Sequence, residues 1–289
     1  MQDKIVIGTA QFGLNYGISN KSGIVKKNEI KLILDKAIKN KIFSLDTASA
    51  YGNCHKILGN FGVNNMEVYT KISKIPKDCL DIKLSIFQEF EKILSDLNIS
   101  SVKALYFHDP MQLLSSDGDE IYKSVLELKD RKKIEKIGFS IYFPSQLDSL
   151  SQYYQPDLVQ VPYNIFDTRF ENTGWLKKLK KNNIEVHARS IFLQGLLFYN
   201  LKNLPLRFFK YKPLWNEYEN WLKKINKSPY ESALSFVLSN SNITKVIIGM
   251  DNVRQLNELL NFKLSRIEKP KFNSLIDENL LVPSNWANL

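Results

Sequence analysis

Eight short apolar runs alternate with amphipathic segments along the whole chain, and this alternation limits the fold more than any other feature of the sequence. The runs are rich in Val, Ile, Phe and Tyr and have the length of buried strands. They lie at residues 4–10, 43–48, 66–72, 103–108, 136–141, 158–163, 185–191 and 245–249. Because strands that alternate with helices form parallel sheets, and eight such strands can close on themselves, we predict an α/β fold of the TIM-barrel type, (β/α)8.

The segments between the runs have the apolar periodicity of helices that bury one face. Two stripes with helical spacing are Ile30, Ile33, Leu34, Ala37 and Ile38, and Ile82, Ile86, Phe90, Ile93 and Leu97. Further helices are predicted at 119–133, 145–154, 173–183, 229–240 and 252–262. A doubly wound sheet is the alternative, but such sheets usually have fewer strands. The glycine fingerprint of dinucleotide-binding sheets is also absent after the first run, where GTAQFG stands.

The length of 289 residues suits one barrel with extensions, so we expect a single domain over residues 1–289. A long insertion, residues 192–228, separates the seventh strand from its helix. Loops of that length are usually functional lids or disordered. This one is rich in aromatic residues and contains the helical pattern LWNEYENWLKKI, so we expect it to be ordered.

Composition excludes several classes of protein. No apolar stretch is long enough for a transmembrane helix, and the N-terminus lacks the basic and apolar segments of a secretory signal. Two cysteines, Cys54 and Cys79, do not make a disulfide framework, which favours a cytoplasmic protein. Three histidines scattered along the chain predict no metal site.

The formal net charge of +10 raises the question of a nucleic-acid partner. The lysines, however, are spread along predicted helices in segments such as ELKDRKKIEK and WLKKLKKNN, without a basic tail or a recognition motif. We therefore predict no nucleic-acid binding and expect a small-molecule partner. A positive field would still favour an anionic cofactor or a phosphorylated substrate.

Polar residues stand where the predicted strands end. Asp46 closes the second strand, Lys71 the third and His108 the fourth. Tyr51 follows Asp46 by five residues. Taken singly, each has a structural explanation: a helix cap, a solvated side chain, a satisfied histidine or a half-buried tyrosine. Active sites of (β/α)8 barrels lie at the carboxyl ends of the strands, so the convergence of all four on one rim predicts an active site.

The same residues carry a family resemblance that extends over nearly the whole chain. The matching segments are GTAQFG (8–13), LDTASAYG (45–52), YTK (69–71), LYFHDP (105–110), KIEKIGFS (133–140), VQVPYN (159–164), QGLL (194–197) and IIG (247–249) with QLNE (255–258). In these segments, and in the order Asp, Tyr, Lys, His, the sequence resembles the aldo-keto reductases. The resemblance implies a nicotinamide-dependent oxidoreductase that reduces an aldehyde or a ketone.

The resemblance implies catalytic roles for Asp46, Tyr51, Lys71 and His108, and these roles also make chemical sense. Reduction of a carbonyl needs a hydride at its carbon and a proton at its oxygen. A free tyrosine, with a pKa of about 10, is a weak proton donor at neutral pH, and a neighbouring cation lowers that pKa. Lys71 would supply the charge, and Asp46 would hold it in place. His108 would orient the carbonyl oxygen toward Tyr51.

The resemblance further implies that the cofactor is NADP, with NAD left open, and that it lies extended across the barrel mouth. Ser140 and Gln160 would hold the nicotinamide carboxamide, and the loop after the seventh strand would meet the pyrophosphate. Residues 249–258 would meet the adenosine end, where the start of the last helix would offer free N–H groups to a phosphate. The implied cofactor-binding residues are Thr9, Ala10, Asp46, Ser140, Gln160, Arg189, Ser190, Phe192, Gln194, Gly195, Gly249, Met250, Asp251, Gln255 and Glu258.

The sequence departs from the family pattern at several positions. Ile141 stands in place of an asparagine, and His55 in place of a glutamate. Arg189 stands where many members have the tyrosine that stacks on the nicotinamide. A guanidinium plane stacks similarly, although its charge disfavours the cationic oxidised ring. Asp251 near a ribose would accept a hydrogen bond from a 2′-hydroxyl and repel a 2′-phosphate, which is why NAD is left open.

Two features suggest a substrate derived from a sugar. The opening GTAQFGLNYGI and the ending LLVPSNW resemble a bacterial, surface-sugar-associated branch of the family. The insertion combines aromatic residues with Arg207, Lys210 and Lys212, which suits a sugar ring with an anionic group, such as a nucleotide sugar.

Two alternative functions use the same barrel: a non-catalytic cofactor-binding sensor, and a Schiff-base aldolase with Lys71 as nucleophile. The intact set of four residues argues against the sensor, and the matches in the cofactor loops argue against the aldolase.

Overall fold

The computed structural model describes residues 1–288, and eight parallel strands form its centre. The strands are β1 (Ile5–Gly8), β2 (Ser44–Asp46), β3 (Glu67–Ile72), β4 (Val102–Phe107), β5 (Ile134–Ser140), β6 (Leu158–Pro162), β7 (Glu185–Arg189) and β8 (Lys245–Gly249). Each strand pairs with the next in sequence, and β8 pairs with β1, so the sheet closes into a barrel. The prediction of a (β/α)8 barrel is confirmed.

Helices surround the sheet and bury their apolar stripes against it. They are α1 (Ala10–Gly13), α2 (Lys27–Lys39), α3 (Cys54–Phe61), α4 (Ile82–Leu97), α5 (Gly118–Asp130), α6 (Pro144–Leu150), α7 (Arg169–Asn172), α8 (Trp175–Lys181), α9 (Lys212–Ile225), α10 (Pro229–Leu238), α11 (Val253–Asn261) and α12 (Glu278–Leu281). Short 3-10 turns lie at Gln2–Lys4, Pro110–Leu114, Leu193–Phe198, Leu206–Tyr211 and Pro283–Asn288. Within residues 1–288, none of these helices combines the length and the apolar composition that crossing a membrane requires.

The structure differs from the sequence-based prediction mainly in the helices. Every predicted strand is present, and several are shorter than the apolar run that predicted them. The helix α3 was not among the predicted helices, because its segment CHKILGNF is only eight residues long. The inclusion of Ile38 in the stripe of α2 was wrong, since this side chain is exposed and the buried face of the helix ends at Ala37.

The barrel interior is filled by side chains of alternate strand residues, which lie in layers. At the amino-terminal end of the strands, Glu67 forms an ion pair with Lys245 at 3.2 Å. In the layer above, the Tyr106 hydroxyl lies 2.9 Å from His187 Nδ1. Lys71 is four residues beyond Glu67 on β3, so its side chain points into the same interior, in the layer nearest the carboxyl ends. This layering places one lysine directly beneath the barrel mouth.

The insertion at 192–228 contains α9 and the two 3-10 turns at Leu193–Phe198 and Leu206–Tyr211. Most of its aromatic side chains form a satellite core, in which Phe208, Tyr211, Trp215, Tyr218 and Trp221 are buried. Phe166, from the loop after β6, packs edge-on against two of them, Trp215 and Tyr218. The insertion is therefore a packed wall beside β7 and not a free lid.

Candidate active site

The acid at the end of β2 and the lysine on β3 form a buried ion pair. Lys71 Nζ lies 2.6 Å from Asp46 Oδ1, and it also donates to the Thr47 backbone oxygen at 3.1 Å. Only 1% of Lys71 and 3% of Asp46 is exposed. Charges so far removed from water persist only when they are paired and hydrogen-bonded. Burial lowers the pKa of Lys71, the Asp46 carboxylate opposes that shift, and the pair holds the lysine nitrogen just below the barrel mouth.

The second oxygen of Asp46 is held by a residue from the far side of the barrel. Gln160 Nε2 donates to Asp46 Oδ2 at 2.7 Å, and both groups are buried. Gln160 is paired in register with Ser140, so these two residues lie side by side at the ends of β6 and β5. The amide nitrogen of Gln160 is thus already bonded to the Asp46 carboxylate. This hydrogen bond orients the carboxylate toward Lys71.

Tyr51 lies in the turn between β2 and α3, and two glycines allow its approach to the ion pair. Its hydroxyl is 3.4 Å from Lys71 Nζ, and its ring meets that of His108 edge-on, with 6.5 Å between centroids. A Cβ on Gly13 would lie 1.9 Å from the Tyr51 backbone oxygen. Gly52 has a φ of +58°, and a Cβ there would lie 2.7 Å from the Gly13 oxygen. Any larger residue at either position would push the turn and its phenol away.

The direction of the pKa shift of Tyr51 differs from the sequence-based expectation. Burial raises the pKa of its phenol well above the usual range, the Asp46 carboxylate raises it further, and the Arg189 guanidinium opposes both. The sequence predicted a lowered pKa from the nearby lysine alone, but removal of a phenolate from water outweighs that attraction. The phenol is therefore protonated at neutral pH, which is the state that a proton donor requires.

His108 follows the end of β4 and carries no charge at neutral pH. Burial lowers its pKa to about 4, and the cations Lys71 and Arg189 act in the same direction. A neutral imidazole donates one hydrogen bond and accepts another, and which nitrogen does so depends on its partners. This side chain is suited to orienting a carbonyl oxygen and not to supplying a charge.

A cavity of about 410 Å³ opens at the barrel mouth beside these residues. Its volume lies in the range of small-molecule sites. Its lining runs from Tyr51 and Asp46, above β2, to Asp251 and Glu258, at the start of α11. The remaining wall comes from the loops that follow β1 and β7. Tyr51 and Asp46 therefore face the cavity directly, whereas Lys71 and His108 are not among the residues that line it.

Comparison with known proteins identifies the family. The sequence model described as "Aldo/keto reductase family" matches residues 4–277. The chain belongs to the aldo/keto reductase family. It is therefore an NAD(P)H-dependent carbonyl reductase.

Individual relatives agree with this assignment. Aldo-keto reductase YhdN of Bacillus subtilis (strain 168) is 24% identical over 295 residues, which cover 90% of this chain and 87% of the relative. Among solved structures, PA4992 of Pseudomonas aeruginosa, assigned as an aldo-keto reductase, superposes with a TM-score of 0.63 at 17% identity. The superposition covers 88% of this chain and 86% of that one. A second structure of the same assignment and organism gives a TM-score of 0.62 at 17% identity, with the same two coverages. At this identity the structures establish the fold alone.

The cavity of the reductase has features that fit a nicotinamide dinucleotide. All the cofactor-binding residues implied by the sequence line it, except Ser140, which lies beside Gln160 below the wall. At Gly249 a Cβ would meet Gln11 Nε2 at 2.4 Å, so a larger residue there would displace the Gln11 side chain from its place in the wall. Two buried atoms of the lining, Tyr230 Oη and Asp251 Oδ1, have no hydrogen-bond partner among residues 1–288. A polar ligand would supply those partners.

The sequence did not indicate several residues of the lining. They are Gln11, Tyr16, Gly17, Ser19, Asn20, Phe198, Tyr230, Ile247 and Ile248, together with Gly8 and Ile191. Many of them belong to the loop between β1 and α2. The signal that points to this loop is its position after a barrel strand combined with its length and its Gly, Asn and Ser content.

That loop and the turn after β7 are joined by three hydrogen bonds. The Ile18 backbone N–H donates to the Gln194 oxygen at 3.0 Å, and Gln194 Nε2 donates to the Tyr16 hydroxyl at 3.0 Å. The Tyr199 hydroxyl donates to the Ile18 oxygen at 3.1 Å. Since residues of both segments line the cavity, the joined loops form one continuous side of it.

Arg189 lies in the cavity wall as the sequence implied, but its own protein contacts hold it. Its Nη2 donates to the Ile141 oxygen at 3.1 Å, and its Nη1 donates to Ser190 Oγ at 3.2 Å. The guanidinium carbon stands 4.0 Å from the centre of the Tyr142 ring. The charge is thus fixed next to Tyr51, whose pKa it influences, and it remains accessible from the cavity.

The start of α11 differs from the expectation that it would bind a phosphate. The sequence implied free N–H groups there for a phosphate, but this chain's own side chains engage two of them. The Val253 N–H donates to Glu29 Oε2 at 3.0 Å, and the Gln255 N–H donates to Asn252 Oδ1 at 3.1 Å. A carboxylate and a capping amide therefore occupy this helix end.

The basic cluster of the insertion also lies elsewhere than expected. Arg207 Nη1 is 3.5 Å from the Trp286 oxygen, and Lys210 is 3.6 Å from the Asp277 carboxylate. Lys212 Nζ stands 3.6 Å from the centre of the Phe209 ring. None of the three basic residues is among those that line the cavity. They contact the C-terminal segment or a neighbouring ring, so their location does not support a role in substrate binding.

A buried histidine beside the site predicts acid sensitivity. His55 Nε2 lies 3.0 Å from Thr70 Oγ1, and burial lowers the pKa of His55 to about 4. In the unfolded chain that pKa is about 6.5, so between these values the unfolded state binds more protons. We expect the free energy of unfolding to fall as the pH drops from about 6.5 to about 4, with His55 contributing at most about 1.4 kcal/mol per pH unit. Urea unfolding at several pH values should show a shallower pH dependence for His55→Gln, and an unchanged slope would contradict this assignment.

Proposed function

We propose that Tyr51 is the general acid of this carbonyl reductase, with Lys71, Asp46 and His108 as its supporting groups. The observation that carries the proposal is the short chain of contacts from Asp46 Oδ1 to Lys71 Nζ at 2.6 Å and on to the Tyr51 hydroxyl at 3.4 Å, beside the cavity. His108 adds a neutral hydrogen-bonding group whose ring meets that of Tyr51.

A nicotinamide cofactor, when bound, would supply the hydride that the carbonyl carbon needs. The residues of this chain act on the carbonyl oxygen. His108 orients the oxygen toward the Tyr51 hydroxyl. As negative charge develops on that oxygen, Tyr51 donates its proton, the O–H bond of the alcohol forms and a phenolate remains. The guanidinium of Arg189 and the Lys71 ammonium, whose Nζ lies 3.4 Å from the Tyr51 oxygen, stabilise the phenolate. Asp46 keeps the lysine in place throughout.

A direct test follows the oxidation of NADH or NADPH by its fluorescence in the presence of a panel of aldehydes and ketones. We expect turnover with at least one of them. Tight cofactor binding without turnover of any carbonyl compound would support the non-catalytic sensor instead. The Schiff-base aldolase has no structural support, because Lys71 is 1% exposed, is held by Asp46 and does not line the cavity.

We further propose that the substrate is an anionic carbonyl compound, such as a phosphorylated sugar derivative. What supports this class is the guanidinium of Arg189, which lines the cavity close to Tyr51. A guanidinium binds phosphate and carboxylate groups in a bidentate manner. The proposal therefore moves the anion-binding role that the sequence gave to the insertion onto a residue of the cavity itself.

Replacing Arg189 by glutamine should raise KM for a phosphorylated aldose about tenfold or more, since a charge-assisted hydrogen bond contributes about 1.5–3 kcal/mol. KM for a small uncharged aldehyde should change much less. The matched control is the triple variant Arg207→Gln, Lys210→Gln and Lys212→Gln, which we expect to leave both values unchanged. Cofactor Kd is measured in parallel, so that an effect on the dinucleotide is recognised. Equal effects of Arg189→Gln on both substrates would count against an anionic substrate.

A further inference from the structure

The charges in the cavity wall are unevenly distributed. Apart from Asp46, which is paired with Lys71, the charged residues of the lining are Arg189, Asp251 and Glu258. The arginine is tied to the end of β5 through the Ile141 oxygen, next to Tyr51. Both carboxylates belong to the segment from the end of β8 into α11. Within the described part of the chain, the lining near α11 therefore carries two negative charges and no positive one.

Asp251 has hydrogen-bonding capacity that the protein does not use. Its Oδ2 accepts only a long contact of 3.4 Å from Gln255 Nε2. Its Oδ1 is buried and has no partner among residues 1–288. A buried carboxylate oxygen without a donor is costly, because the water that it has lost is not replaced. The geometry therefore calls for a ligand that donates a hydrogen bond at this point of the cavity.

Several features that would receive a phosphate next to Asp251 are engaged by this chain's own side chains. Arg254 is 85% exposed, does not line the cavity, and its Nε lies 3.5 Å from Glu258 Oε1. The start of α11 is occupied by the carboxylate of Glu29 and the amide of Asn252. A phosphate placed here would lie among the carboxylates of Asp251, Glu258 and Glu29, and the arginine nearest to it is paired with one of them.

Aromatic rings complete this end of the cavity. Phe192 and Tyr230 lie in the lining and are stacked on each other, with 5.5 Å between centroids and 20° between planes. Burial raises the pKa of the Tyr230 hydroxyl, and the Glu258 carboxylate raises it further, so the pair lies close to the acidic residues. The Tyr230 hydroxyl is itself buried and has no partner within residues 1–288. Aromatic rings with adjacent polar atoms suit a purine and its ribose.

We infer that the cofactor of this reductase is NAD(H) and not NADP(H), selected by Asp251 and Glu258, which accept from a free 2′-hydroxyl of the adenosine ribose and repel a 2′-phosphate. The reacting end of the cofactor must reach Tyr51, so the adenosine lies toward α11; the inference thus rests on the proposed function. A carboxylate that accepts from the ribose 2′-hydroxyl favours NAD, whereas NADP needs a cation at that place. NADP, which the family resemblance favoured, does not fit this charge pattern.

The test is a fluorescence titration of the full-length protein with NADH and with NADPH. We expect the wild type to bind NADH about tenfold or more tightly, because like charges at close range repel strongly. In the double variant Asp251→Asn, Glu258→Gln, the Kd for NADPH should fall and the ratio of the two Kd values should approach one. Added salt should reduce the wild-type ratio, since it screens the repulsion. The exposed Asp78→Asn serves as the control for a change in net charge and should leave the ratio unchanged.

A second titration isolates the adenosine end. Adenosine 5′-monophosphate should displace NADH at a lower concentration than adenosine 2′,5′-bisphosphate, and the double variant should reverse or remove that order. Wild-type binding of NADPH as tight as that of NADH would overturn the inference and leave the proposed function intact. An unchanged ratio in a folded double variant would overturn the assignment to Asp251 and Glu258. Failure of the wild type to bind either dinucleotide would overturn the proposed function itself.

Discussion

Replacing Tyr51 by phenylalanine should lower kcat about 10²- to 10⁴-fold, because general acid catalysis by one side chain is typically worth that factor. The phenylalanine ring would keep the edge-on contact with His108, and the turn would still close on Gly13. What the variant lacks is the hydroxyl group whose oxygen lies 3.4 Å from Lys71 Nζ. The Kd of the reduced cofactor should therefore stay close to that of the wild type.

The control for loss of a tyrosine hydroxyl is Tyr122→Phe on α5. That hydroxyl donates to the Gln155 backbone oxygen at 3.0 Å, away from the cavity. We expect its turnover to match the wild type. Steady-state kinetics and cofactor titration on both variants decide the matter. Near-normal kcat for Tyr51→Phe with any carbonyl substrate would remove Tyr51 from the role of acid.

Sequence periodicity determined most of the fold and the placement of the central residues. Strand positions follow from short apolar runs, and the ends of parallel strands must share one rim. Asp46 and Lys71 therefore had to lie near each other, and the structure pairs them at 2.6 Å. The glycine after Tyr51 is likewise readable, since the φ of +58° at Gly52 strongly favours that residue.

Contacts between distant parts of the chain were not predictable in the same way. Glu29 caps the start of α11 through Val253, 224 residues away in sequence. Tyr16 meets Gln194 across 178 residues. Local periodicity encodes which face of an element is buried, but it does not encode which polar side chain from another element arrives there. Long-range contacts of this kind changed the interpretation of the adenosine end of the cavity and of the basic cluster in the insertion.

The pKa of Tyr51 is a second property that the sequence alone did not predict correctly. The sequence shows that a lysine is near, and a nearby cation lowers the pKa of a phenol. It does not show how much water the phenol loses, which depends on the packing of the loops around the barrel mouth. Burial is the largest influence in the folded protein and raises that pKa. The direction of the pKa shift of Tyr51 is therefore set by the tertiary structure and not by the sequence motif.

Replacing Lys71 by methionine should destabilise the protein and nearly abolish turnover. Asp46 would be left as a buried charge with only the Gln160 amide as a side-chain partner. Breaking a buried ion pair on one side typically costs about 3–5 kcal/mol of unfolding free energy. Turnover should fall as well, because no ammonium would remain beside the Tyr51 hydroxyl to stabilise the phenolate.

The double variant Lys71→Met, Asp46→Asn separates these two effects. The asparagine carries no charge, and its amide oxygen can still accept from Gln160 Nε2, so most of the lost unfolding free energy should return. Turnover should not return, since the methionine supplies no charge to the phenol. Urea unfolding measures the first quantity and steady-state kinetics the second, with cofactor titration to confirm a folded cavity. If the double variant regained both stability and turnover, the ion pair would be a structural feature of the barrel, and the stabilisation of the Tyr51 phenolate would have to come from Arg189 alone.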